Sequence, residues 1–77
     1  MKVTYHAGER LIERVFDVAK YTHRQVIDAM KLIKRDLAEV EYRNRKYIPL
    51  PSFPGFYGVI ADRTLVTVIP KSYRPER

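Results

Sequence analysis

The order of periodicities along this chain predicts an α+β domain: two N-terminal helices packed on one face of a three- to four-stranded antiparallel sheet. Three observations carry that expectation. Apolar residues recur at helical spacing through the first half, whereas β-branched and aromatic residues broken by prolines fill the second. The length, 77 residues, sets the size: surface scaling gives roughly 4,900 Å² folded against about 13,000 Å² unfolded, enough for one thin two-layer core. A single domain over residues 1–77 follows, with no room for a deep cofactor cavity or a separate regulatory unit.

Residues 2–6 are short and β-prone, with Val3 and Tyr5 on one side, and read as a brief strand or an extended lead-in. Ala7, Leu11, Val15 and Val18 then recur at helical spacing, with Ile12 and Ala19 widening the stripe, so a first helix is expected over about residues 7–20. Thr22 and Gln25 form a capping-box pair that starts a second helix. Val26, Met30, Ile33, Leu37 and Val40 repeat at 4-3-4-3 spacing and carry it over about residues 23–38. Beyond Glu39, residues 40–43 and 46–50 suggest two strands around a tight turn at Asn44-Arg45. The prolines at 49, 51 and 54 confine the next stretch to a loop or a sheet edge. Residues 56–61 and 65–69 make the clearest hairpin, turning at or near Asp62-Arg63, and the second of these runs is apolar on both faces, as a central strand should be. From about residue 71 the polar tail is expected to fray.

Fifteen basic against nine acidic residues give a net charge of +6, spread evenly over both halves, so the excess belongs to a folded surface rather than a tail. Polyanions, RNA above all, are the first partners this implies. The absence of cysteine excludes disulfides, thiolate metal sites and cysteine nucleophiles, and places a domain this small most naturally in a reducing cytoplasm. No stretch approaches the length of a membrane span, and with two histidines neither a metal site nor a cofactor is expected.

Three groups of residues can carry chemistry. His6, Arg10 and Arg14 lie four apart, which puts an imidazole and two guanidiniums along one side of the first helix. The same stripe also reads as a self-neutralising surface, since Glu13 and Asp17 stand three residues beyond the two arginines. Tyr42, Arg43, Arg45, Lys46 and Tyr47 bracket three cations with two aromatics, a pattern that clamps phosphates and stacks bases; an exposed hairpin whose tyrosines tuck onto the core gives the same pattern. Thr67 inside an apolar strand, followed by Lys71, Tyr73 and Arg74, supplies a hydroxyl, a proton donor and further charge, or else an ordinary strand with a basic end.

The run from His6 to Arg14, His-Ala-Gly-Glu-Arg-Leu-Ile-Glu-Arg, resembles the "His-Ala-x-x-Arg-x-x-x-Arg" opening of a small bacterial and phage domain family. That family is allied to RelE/ParE-type toxins and the barnase–EndoU–colicin–RelE group of ribonucleases. Val26-x-x-Ala29 and Val66-Thr67-Val68 resemble its second helix and its closing strand. The proline-rich stretch 49–54 and the late Lys71-Ser72-Tyr73-Arg74 depart from it.

The resemblance implies an RNA-binding, toxin-like protein, and, if enzymatic, a metal-independent endoribonuclease in which the ribose 2′-hydroxyl attacks the adjacent phosphorus. His6 would then move a proton, Arg10 and Arg14 would hold the phosphate, Tyr73 or Lys71 would act opposite, and Thr67 would position. Tyr42, Arg43, Arg45, Lys46, Tyr47 and Arg74 would bind flanking RNA. An antitoxin or host protein is the partner such a toxin implies. The alternative is a non-enzymatic, phage-type inhibitor that docks a host protein through Phe53, Phe56 and Tyr57.

Overall fold

Thr4 makes the first junction of the chain. In the computed structural model, which describes residues 1–73, it separates a two-residue strand, β1 (Lys2–Val3), from helix α1 (Tyr5–Arg10). Its hydroxyl accepts the Ala7 N–H as an N-cap and donates to the Val66 carbonyl at 3.0 Å, while its own N–H donates to the Leu65 carbonyl. A helix start is thus tied directly to the last strand.

The first helix is shorter than its periodicity predicts. After Arg10 it widens into a π-helical turn (Leu11–Val15), the Phe16 N–H donating to the Leu11 carbonyl, and it stops at Asp17, whose φ is 57°. Asp tolerates this left-handed backbone because its short polar side chain can bond locally. The break leaves Val18 and Ala19 exposed, so the apolar stripe predicted to reach residue 20 ends at Val15. Helix α2 (His23–Asp36) begins as its sequence predicts, with both capping-box hydrogen bonds formed between Thr22 and Gln25. It ends two residues early, with Leu37 as its C-cap. Gly8 is what brings the two helices together: a Cβ there would lie 2.8 Å from the Val26 carbonyl oxygen and 2.8 Å from Met30 Cγ, so no larger residue permits this approach.

The sheet has four strands in the order β1-β4-β3-β2, with β2 (Tyr47–Pro49), β3 (Phe56–Ala61) and β4 (Thr64–Pro70). It is mixed, which corrects the all-antiparallel expectation. β1 runs parallel to β4, with Lys2 opposite Thr64 and Val3 opposite Leu65. The long connection between them permits a parallel pairing that no tight turn can make. The β3–β4 hairpin turns at Asp62-Arg63, as expected. Residues 40–43 do not become a strand. The turn after Tyr42 forms, with the Arg45 N–H donating to the Tyr42 carbonyl, but only residues 47–49 join the sheet, and they pair with β3. Val40 and Tyr42 pack against the core from irregular backbone instead.

Leu11, Val26 and Ile33 from the helical half and Ile48, Leu50, Leu65 and Val68 from the strand half are fully buried in one cluster. A β-bulge opposite the Val59–Ile60 step of β3 inserts Val66 as an extra residue in β4. This lets Leu65 and Val68, three apart, share the core side, which strict alternation forbids. The start of the predicted frayed tail is tied down: residues Lys71–Tyr73 form a 3₁₀ turn, and the Lys71 N–H donates to the Gly55 carbonyl at 2.7 Å. Arg74 lies outside the described residues.

Candidate functional site

The cations of the first helix are committed to neighbours. His6 is half exposed, with its Nδ1 3.9 Å from the Glu9 carboxylate. Arg10 donates to Glu13 at 2.5 Å, and the Tyr21 hydroxyl donates to the other Glu13 oxygen. The Tyr21 hydroxyl, more than Arg10 and Arg14, holds the Glu13 carboxyl below its usual range, against the opposite push of desolvation; Tyr21 is itself pushed up to about 12 by Glu13. Arg14 donates to the Val68 carbonyl at 2.8 Å, and its guanidinium sits 5.8 Å from the centre of the Tyr73 ring. β1 covers only the first two residues of β4. Beyond them Thr4 and Arg14 cap the Val66 and Val68 carbonyls from the helix side, a way of closing a strand edge with side chains.

Of the residues expected around a scissile phosphate, the structure joins Arg14 to Tyr73 and sets Arg10 and Arg14 about one acid, Glu13. His6 and Thr67 make no hydrogen bond, ion pair or ring contact with Lys71 or Tyr73 among the described residues. His6 and Arg14 are eight residues apart on one helical segment, about 12 Å along its axis at the usual rise. Thr67 stands in the cross-strand row with Val59 and Tyr47, on the opposite sheet face from the row of Val68, Gly58 and Ile48. It therefore belongs with the tyrosines of β2 and β3, and not with the helix. Lys71 and Tyr73 are exposed.

The second basic group fares differently. An open cleft of about 550 Å³ lies between residues 42–46 and the β3–β4 turn, lined by Tyr42, Arg43, Asn44, Arg45, Lys46, Ile60, Asp62 and Arg63. The Lys46 carbonyl accepts the Ile60 N–H at 2.8 Å, which fastens the loop to β3 beyond the end of β2. Arg43 curls back: its Nε and its N–H both donate to Glu41, at 3.1 and 3.2 Å, and this pair lowers the Glu41 carboxyl. Arg45 donates only a long 3.4 Å bond to the Glu41 carbonyl, and Lys46 lies 5.8 Å from the centre of the Tyr47 ring. Neither Arg45, Lys46 nor Arg63 has a carboxylate partner among the described residues. A second hollow of about 320 Å³ shares Arg45 and Lys46 and continues over Tyr47, Pro49 and Tyr57. Together the two make a groove that is cationic at the turn end and aromatic along β2.

Arg63 is the residue that the sequence reading missed, having counted Asp62-Arg63 only as a turn. The available signal was an arginine at the second position of a two-residue hairpin turn, where glycine is the usual occupant. The aromatics expected to dock a partner do not form an exposed cluster. Tyr57 is 8% exposed and stands 6.4 Å from the Tyr47 ring, Phe53 packs edge-on to Phe16, and Phe53 and Phe56 both lean on the core.

Comparison with protein-family models, curated proteins and solved structures finds no significant match to this chain. Among the described residues no helix is long and apolar enough to cross a membrane, and no three histidines or carboxylates come together as a metal cluster.

Proposed function

We propose that this protein binds single-stranded RNA, with little regard to sequence, through the groove between residues 42–47 and the β3–β4 turn. The observation that carries this reading is the meeting of Arg45 and Lys46 with Arg63 around one cleft whose lining includes a single acid, Asp62. Cations without carboxylate partners can neutralise phosphates and release their counterions, which is the main source of sequence-independent affinity. Tyr47 beside Lys46 supplies a ring face on which an unpaired base can stack. A concave site at one end of the sheet suits a splayed strand better than a duplex, which is usually read by an element entering a groove. We read both helices as packed on one face of the sheet, which leaves the Tyr47–Val59–Thr67 row on the ligand's side.

The reading stops at binding. Attack by a 2′-hydroxyl needs a proton acceptor and a proton donor on opposite sides of one phosphorus, and His6 shares no contact with Thr67, Lys71 or Tyr73 among the described residues. The test is fluorescence anisotropy with a labelled twelve-residue oligouridine over a salt series. Three phosphate contacts predict a slope of log affinity against log salt near −2, at about −0.7 per contact. Affinity that is flat between low and physiological salt removes the proposal. Incubating the same RNA with protein and chelator, wild type against His6→Ala, tests for cleavage separately.

A further inference from the structure

Four non-glycine residues among those described have positive φ: Asp17, Asn44, Asp62 and Arg63. Three of them are Asp or Asn, whose short side chains make this backbone tolerable. Arg63, at φ 61°, has no such excuse. With Asp62 at φ 52° it forms a two-residue turn between Ala61 and Thr64 in which both central residues are left-handed, the geometry that favours Asp-Gly and Asn-Gly. Its guanidinium makes no ion pair among the described residues, and the turn itself is held by the Thr64 hydroxyl donating to the Asp62 carbonyl. Nothing in the fold therefore uses the arginine, while the backbone is strained by it. Strain of this kind persists where it serves a site, and Arg63 lines the cleft.

We infer that Arg63 is a phosphate-contacting residue of the RNA groove, held at a glycine position at the expense of fold stability. The inference rests on the RNA-binding reading above and adds a tension between stability and affinity at one residue. The β3–β4 turn brings it across from Arg45 and Lys46, so a strand lying in the cleft meets cations from both sides.

The experiment compares Arg63→Gly, Arg63→Asn and Arg63→Lys with wild type, by thermal melt and by anisotropy with the labelled oligouridine. Glycine and asparagine relieve the backbone and remove the charge. Both should raise Tm by about 4 °C, weaken binding about fivefold at 50 mM salt, and make the salt slope shallower by about 0.7. Lysine keeps both charge and strain, and should leave Tm and affinity near wild type. Higher Tm with unchanged affinity overturns the inference, as does lower affinity with no gain in Tm. In those outcomes an Arg45→Ala/Lys46→Ala variant still binds more weakly than wild type, so the groove reading survives. A wild-type protein with no salt-sensitive binding to the oligouridine fails that reading itself.

Discussion

The first helix and the loop end of the sheet hold the same kinds of residue and use them in opposite ways. Arg10 and Arg14 are consumed inside the protein, one by Glu13 and one by a strand carbonyl. Arg45, Lys46 and Arg63 have no carboxylate partners among the described residues and line one cleft. A cation with an internal partner contributes to the fold and is unavailable to a ligand; one without a partner stays hydrated and exchanges water for phosphate at little loss. What separates the two regions is thus the position of acids and carbonyls around each cation.

The contrast can be broken first on the helical side. Gly8→Val forces a branched side chain against the Val26 carbonyl and should remove about 3 kcal/mol or more of stability, seen as a lowered urea midpoint. The cleft should then be attacked alone. Arg45→Glu/Lys46→Glu is expected to weaken oligouridine binding about a hundredfold at 50 mM salt, or about 2.7 kcal/mol, with the thermal midpoint unmoved. Arg14→Ala reverses that signature: it frees the Val68 carbonyl and loses its packing on Tyr73, which should cost about 1–2 kcal/mol of stability and leave affinity within twofold.

Smaller effects sharpen the same comparison. Glu13 has its pKa lowered, so its contribution is whole above the ordinary carboxylate range and fades as acid protonates it. Tyr21 is raised from 10.0 to about 12, so its contribution is whole below pH 10 and fades as pH rises through about 12. Tyr21→Phe removes the shared hydrogen bond. It should lower Tm at pH 7 and lose less additional Tm between pH 10 and pH 12 than wild type does. His6→Ala is the smallest: with a half-exposed ring 3.9 Å from Glu9, it should move stability by less than about 0.5 kcal/mol and leave oligouridine affinity unchanged. A large loss of binding in that variant would return the site to the helix.

Local physics was legible in the residues. The Thr22–Gln25 capping box and the stripe through Val26, Ile33 and Leu37 specify α2 from contacts within a few residues of one another. The run around Thr67 and the Asp62-Arg63 turn specify the last hairpin in the same way. The basic stretch 43–46 could also be seen, because its charges are adjacent.

Other features depend on residues far apart in the chain. A glycine in a helix is by itself only a loss of stability; the use of Gly8 lies in the Val26 carbonyl packed against it, eighteen residues on. The strand that β1 pairs with lies some sixty residues away, and no alternation pattern encodes a partner's direction. The fate of each arginine was equally hidden: Arg14 meets the Val68 carbonyl and Arg63 meets the 42–46 loop only once the sheet has formed. The sequence by itself determined α2, the last hairpin and the charge; tertiary structure decided where the first helix stops, which strands pair, and which charges are spent on the fold or left without an internal partner, because these depend on neighbours that only folding brings within a few ångströms.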